Sequence, residues 1–361
     1  YEDRHMSRKL TENNGAGWAF AAPSILLIGL FIILPFFLAI AFSLTDQRLI
    51  SPNPTRYVGA ENYRDLLGLN VIKLEPETAD DGSLARDEDG NLEYPRVRSL
   101  TRSDDYPQYF GMREWFRVHA GNTAYVVVAR DVVFMRALVN TLIFVAVTAP
   151  VQAGLALGLA LLINQRIRGV NVFRAVFFMP VVVSIVVVSL LWRFIYDGND
   201  GLLNALLSGL TFGLFQPVDW LGNTHTALGS IIAMSIWQAV GFHMVIWLAG
   251  LQTIPPTLYE AAAIEGSSKW QTFRYVTWPG LRNTAVLVLV VITMQAFAVF
   301  AQIDVMTKGG PLDSTQTLVF QAVERGYGRQ DISGGSTISV VLFVLVLAIS
   351  LAQRYFTRER N

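Results

Sequence analysis

The sequence predicts an all-α polytopic membrane protein with six spanning helices and one sizeable segment outside the membrane. Composition is the first reason. Of 361 residues, 52% are hydrophobic and only 16% charged, whereas a soluble domain carries about 25% charged residues. Mean hydropathy is +0.40. The second reason is distribution: the apolar residues gather into runs near the ~20 residues that a bilayer requires. The third is that Lys and Arg collect at alternate ends of those runs, which fixes an orientation. Cysteine is absent and net charge is zero, so thiolate chemistry is excluded and bulk nucleic-acid binding is disfavoured.

The elements follow in order. Residues 1–5 read as a non-native leader before Met6, and 1–17 as a cytoplasmic N-terminus. The first span is 18–44; it carries no clear cleavage site and reads as a retained helix. The later spans are about 137–163, 172–196, 226–250, 284–304 and 335–353. Pro35, Pro150 and Pro180 lie inside spans, which membrane helices tolerate when neighbours satisfy the freed carbonyls. Trp192 and Tyr196 fit interface anchors. Arg8 and Lys9 precede span one, Arg166, Arg168 and Arg174 follow span two, and Arg354, Arg358 and Arg360 follow span six. Loop 197–223 instead holds Asp197, Asp200 and Asp219 with no Lys or Arg. Both termini and the loop at 251–282 are therefore expected in the cytoplasm. Arg193 near the outer end of span three is accommodated by snorkelling.

Segment 45–136 is expected outside. It is too long to count in the charge rule. Its stretch 75–108 reads as surface loop or short hairpin, with Asp89-Gly90-Asn91 as a turn. From Phe110 to Val128, aromatic and β-branched residues predict a small packed lobe. Its acids lack EF-hand spacing and Arg86 lies among them, so no metal site is expected.

Residues 257–281 are the most informative loop, within a connection of 251–282. Pro255 and Pro256 stop the preceding helix. Thr257 and Glu260 have the spacing of a capping box. Ala261, Ala262 and Ala263 favour helix without bulk. Gly266 can end that helix left-handed, Ser267 or Ser268 can cap a second helix, and Pro279 is expected to end it. Two short helices with a smooth alanine face suit docking against another protein; an ordinary amphipathic connector is the plain alternative.

Catalytic signatures are missing. No G-x-x-x-x-G-K-[ST], H-E-x-x-H or G-x-S-x-G occurs, so ATP hydrolysis and hydrolase chemistry are not expected. Polar residues inside spans fall on stripes: Thr141, Thr148 and Gln152; Gln295 and Gln302; Gln238 with Phe242, beside His243 and Trp237. Amides beside aromatic rings suit a sugar pathway. Helix–helix hydrogen bonds, worth ~0.6 kcal/mol each, are the alternative, and for His243 a structural bond weighs equally against a functional one. Gly154 and Gly158 read as close helix packing. Acids are nearly absent from the spans, Asp304 excepted, which argues against ion coupling.

Five segments now carry a resemblance. VGAENY (58–63), ALVNT (137–141), DWLGN (219–223), GLQTIPPTLYEAAAIEG (250–266) and TKGGP (307–311) occur in the order seen in sugar-importer permeases. Glu260, Ala261, Ala262, Gly266, Val276 and Pro279 match the spacing of their cytoplasmic coupling loop. The chain resembles the maltose-type, carbohydrate-uptake branch of type I ABC importers. It departs at Glu265, at Trp278 and in the length of the 70–130 insertion. The resemblance implies the type I permease fold, with 137–361 as a five-helix core. It implies a second permease subunit, an ATPase dimer holding ATP and Mg, and an extracytoplasmic sugar-binding protein, with no cofactor on this chain. An ion-coupled secondary sugar transporter and a non-transporting receptor are the rival classes.

Overall fold

In the computed structural model, residues 14–78, 83–86, 90–165 and 169–357 are described. Arg8, Lys9, Arg166, Arg168, Arg358, Arg360 and Asp89 fall outside them. Four helices are long and apolar enough to cross a membrane: α1 (Gly17–Ser43), α4 (Val132–Ile163), α8 (Ala227–Gln252) and α14 (Ile332–Tyr355). Two further helix pairs are long and apolar enough only when taken together, and each is bent. α5 (Val170–Val182) and α6 (Ile185–Ile195) meet at 97°, and α10 (Lys269–Gly280) meets α11 (Arg282–Phe297) at 68°. If each bent pair is one span, the total is six.

The third span is thus not one straight helix. Pro180 lies inside α5, and Val183 beyond it is extended, with φ −78 and ψ 138. The break leaves the Pro180 carbonyl without its helical partner, and Gln238 Nε2 donates to it from 3.4 Å. The fifth span also corrects the expected 284–304. α11 stops at Phe297, and Gln302 and Asp304 lie on a separate helix, α12 (Ala301–Met306).

The core lies between α4, α8 and α11. Ala149, Ala153, Ala156 and Ala160 form one stripe of α4, packed with Met244, Trp247 and Leu251 of α8 and Val288 and Ile292 of α11. Small side chains let these backbones approach, and such packing drives helix association in lipid. The closest approaches occur at α8 glycines. A Cβ on Gly241 would lie 1.8 Å from the Phe177 carbonyl oxygen of α5, and one on Gly250 would lie 2.3 Å from Thr284 Oγ1 of α11. Gly154 and Gly158 do not pack closely: both are exposed, with no atom of another element within 4 Å of their Cβ positions.

The segment before α4 folds as a lobe. α2 (Glu61–Leu67) and α3 (Val97–Leu100) accompany a three-stranded antiparallel sheet of order β1-β3-β2: β1 (Leu69–Leu74), β2 (Arg113–Ala120), β3 (Thr123–Ala129). Alternate residues Ala124, Val126 and Val128 are fully buried against Ile72, Leu74 and Met112, the period-two pattern of a one-sided sheet. The lobe expected over 110–128 therefore forms. Asn62 Nδ2 donates to the Ser43 and Thr45 carbonyls, satisfying the end of α1.

Two segments of the resemblance meet in space. From the start of α4, Asn140 Nδ2 donates to the carbonyls of Asp313 and Gln316, and Thr141 Oγ1 accepts from Leu318 N–H. ALVNT therefore grips the loop that begins with TKGGP. Nearby, Arg325 donates to Asp131 at 2.7 Å and Asp331 at 2.8 Å. Asp131 in turn caps α4 by accepting from Phe134 N–H. This ties the start of α4 to the start of α14.

Candidate functional site

Two places gather the expected functional residues. The first is a cavity of about 330 Å³ lined by Phe144, Thr148 and Gln152 of α4; Val181 and Ile185 at the elbow; Ser235, Gln238, Ala239 and Phe242 of α8; Ile292, Gln295 and Ala296 of α11; and Val299 and Gln302 beyond. Four of the six expected pathway residues, Gln238, Phe242, Gln295 and Gln302, share this wall. The break after Phe297 turns Gln302 inward even though it has left the α11 register.

His243 and Trp237 do not line the cavity. Trp237 points to the outer face of α8, half-exposed, its ring centroid 5.3 Å from that of Trp192. His243 is fully buried behind the wall. Gln152 Nε2 lies 2.9 Å from His243 Nδ1, and the Ala239 carbonyl oxygen lies 3.0 Å from the same nitrogen. With the ring proton on Nε2, Nδ1 accepts from the Gln152 amide; with it on Nδ1, the ring donates to Ala239. His243 thereby holds a cavity residue rather than facing the cavity. Thr148 Oγ1 and Ser235 Oγ, both on the wall, lack hydrogen-bond partners, as do His243 Nε2 and Trp247 Nε1 behind it. Such orphans are costly in an apolar medium unless something else satisfies them.

Phe144, Ser235 and the elbow residues were missed from sequence. Ser235 could have been found, since it stands three and seven residues before Gln238 and Phe242 on one helical face. Thr148 and Gln152 were visible as a stripe, without any sign of what they face.

The second place is the loop after α8. α9 (Pro256–Ile264) starts with Pro255 as its N-cap, and no side chain caps it. The capping box expected at Thr257 and Glu260 is absent, because Pro256 at the first position removes the N–H and moves the start of the helix upstream. The box sits instead on α10: Ser268 Oγ accepts from Gln271 N–H, and Gln271 Oε1 accepts from Ser268 N–H. At the other end of α9, Gly266 has φ +70. Its N–H donates to the Ala263 carbonyl and Ser267 N–H to the Ala262 carbonyl, a Schellman motif. Pro279 does not end the second helix. It occupies the first turn of its last segment, where a missing N–H costs little, and the chain bends only at Leu281.

Ala262 packs inward, only 9% exposed, and the Tyr259 hydroxyl lies 3.2 Å from Thr277 Oγ1. Glu260, Ala261, Gly266 and Pro279 face outward. Beside them Ile264 is 87% exposed and Trp270 is 66% exposed.

Comparison with known proteins decides the family. Residues 133–360 match the family described as binding-protein-dependent transport system inner membrane component. This chain belongs to that family. It is a membrane-spanning permease subunit of an ABC importer, and the resemblance drawn from its motifs is correct. The permease is 34% identical over 264 residues to the trehalose/maltose transport system permease protein MalF of Thermococcus litoralis, covering 73% of this chain and 84% of that one. It is 31% identical over 270 residues to the sn-glycerol-3-phosphate transport system permease protein UgpA of Agrobacterium fabrum, covering 74% and 89%. In fold, it matches a chain of a bacterial ABC transporter that imports the acidic polysaccharide alginate, with TM-score 0.67, 18% identity and 98% coverage of both chains. That likeness extends through the lobe before α4, which lies outside the family match.

Proposed function

We propose that this permease forms half of the translocation pathway of a sugar importer, di- or oligosaccharide or glycoside, and that the α4–α8–α11 cavity is its share of the path. The observation that carries this reading is the cavity wall. Gln238, Gln295 and Gln302 line it with uncharged amides and Phe242 with a ring, while Gln152, Thr148 and Ser235 add buried polar groups just behind that surface. That inventory matches sugar hydroxyls and the apolar face of a pyranose. The trehalose/maltose relative supports the substrate class. The glycerol-3-phosphate relative is the reason to test charged sugars as well.

In this reading the chain has six spans, both termini are cytoplasmic and the lobe at 45–136 is outside. A second permease subunit completes the path, and an exported binding protein delivers the sugar. Glu260, Ala261, Gly266 and the neighbouring Ile264 meet an ATPase dimer, which alone binds ATP and Mg. The decisive experiment reconstitutes the permease with its partner subunits and measures uptake and thermal stability together. Gln295→Ala and Gln302→Ala should lower uptake at least tenfold at near-normal stability. Loss of stability in proportion to uptake would make these residues packing groups and move the site into the partner. Gly266→Asp should leave ATP hydrolysis running while uptake stops; normal uptake in that variant would remove the loop from the coupling path.

A further inference from the structure

Beyond the pathway, a short helix between α6 and α8 presents an apolar face left exposed among the described residues. α7 (Leu202–Leu210) exposes Leu202, Leu206 and Leu210 on one side, at 65%, 55% and 68%, and the chain continues with Phe212 at 96% and Leu214 at 85%. The residues between them on that side are Ala205 and Gly209, so the face carries no hydrogen-bonding side chain at all.

The placement of this face is fixed. Asn204, on the opposite side of α7, is buried. Its amide nitrogen donates to the carbonyls of Asp197, Gly198 and Val218, and its Oδ1 accepts from Trp220 Nε1 at 2.8 Å. Asp197 directly follows Tyr196, the cap of α6, so one hydrogen bond joins α7 to the end of α6. The bond set also fixes the roll of α7 about its axis. The same level holds a run of aromatic rings: Trp192 to Tyr196 at 5.0 Å, Tyr196 to Trp220 at 6.4 Å, Trp220 to Phe215 at 6.4 Å. Aromatic belts mark the headgroup region. Phe194 on α6 is likewise 75% exposed.

We propose that α7 is an interfacial helix, lying along the membrane surface at the end of α6 with Leu202, Leu206, Leu210 and Phe212 among lipid acyl chains. Lipid fits this face better than a protein does. A protein interface carries about one hydrogen bond per 100–200 Å², and this face has no side chain to make one. The charges of the loop, Asp197, Asp200 and Asp219, lie outside the helix and are exposed, leaving α7 itself without a charged side chain.

The chain has no native cysteine, which makes the test direct. Nitroxide labels are placed on Leu206→Cys, Leu210→Cys and Asp200→Cys in the permease assembled with its partner subunits, in nanodiscs of phosphatidylethanolamine and phosphatidylglycerol. Collision with dioxygen, which concentrates in lipid, should exceed collision with an aqueous nickel chelate several-fold at both leucine positions, and the order should reverse at Asp200→Cys. Nickel-dominated collision at Leu206→Cys would place the face in water. A frozen spectrum with neither reagent reaching it would place a protein there. Either result overturns the proposal. Should a helix variant fail to assemble, Phe212→Cys, beyond the helix, gives the same reading. None of these outcomes depends on which solute is carried.

Discussion

Helix α8 and the loop that follows it both depend on glycine, for opposite reasons. Gly241 has an ordinary backbone but no room, since the Phe177 carbonyl of α5 occupies the place of its missing side chain. Gly266 has open space around it and an unusual backbone, with φ +70. One glycine lets two helices touch, and the other lets one helix stop. The membrane part of this permease is therefore specified by long-range fit. Its loop is specified by local backbone chemistry, which leaves Glu260, Ala261 and Ile264 exposed.

Substitution by alanine separates the two cases. Gly241→Ala should have the largest effect, about 3 kcal/mol or more, because α5 cannot withdraw without disturbing the Gln238–Pro180 bond beside it. The heat-resistant, monodisperse fraction of the purified permease should fall sharply; normal stability would mean that α5 and α8 stand further apart. Gly266→Ala should cost about 1–2 kcal/mol of left-handed strain, confined to the loop. Hydrogen exchange should quicken at Ser267 and Gly266 while the spans stay protected, and protection lost across α8 would erase the distinction.

A third kind of turn sharpens the contrast. The Asp197 carboxylate accepts from the N–H groups of Asp200 and Asn199, which hold its pKa below the ordinary 3.8. A depressed carboxylate stabilises the turn above its unfolded pKa and stops doing so as pH falls through the folded one. Amide exchange at Asn199 and Asp200, corrected for intrinsic rate, should therefore lose protection in strong acid and not near neutrality, and Asp197→Asn should abolish that dependence. The smallest effect belongs to Gly154→Ala and Gly158→Ala. With nothing near either Cβ position, each should stay within about 0.5 kcal/mol in this chain. A larger loss in the full assembly alone would show that a neighbouring subunit uses the groove.

The same division explains what the sequence revealed. Spans of twenty apolar residues, the left-handed Gly266 and a serine cap at 267 or 268 are local signals, legible from spacing. The lobe was visible from its β-branched residues, though not its strand order, which pairs β1 with the distant β3. The elbow at Val183 was hidden because Pro180 is compatible with a continuous membrane helix as well as a broken one. The cap assigned to Thr257 failed because two prolines moved the helix start. Within the cavity, the glutamines were recognised as polar residues in apolar spans. The bond between Gln152 and His243 joins residues 91 positions apart, and a single sequence holds no sign of such a pair. Trp237, adjacent to Gln238, looked equivalent to it, and only the helix rotation sends the two in different directions.

The bend at Leu281 makes α10 and α11 a crank. Leu281 is fully buried; in the proposed coupling it would be the fulcrum, with the outward loop as the handle and α11 as the throw. Gln295 lies thirteen residues beyond Arg282, about 20 Å along a helix rising 1.5 Å per residue. A swing of about 10° at the fulcrum would carry Gln295 through roughly 3 Å, by the same helical rise. That is the length of one hydrogen bond, so in the proposed pathway a small turn of the loop would make or release a sugar contact at Gln295.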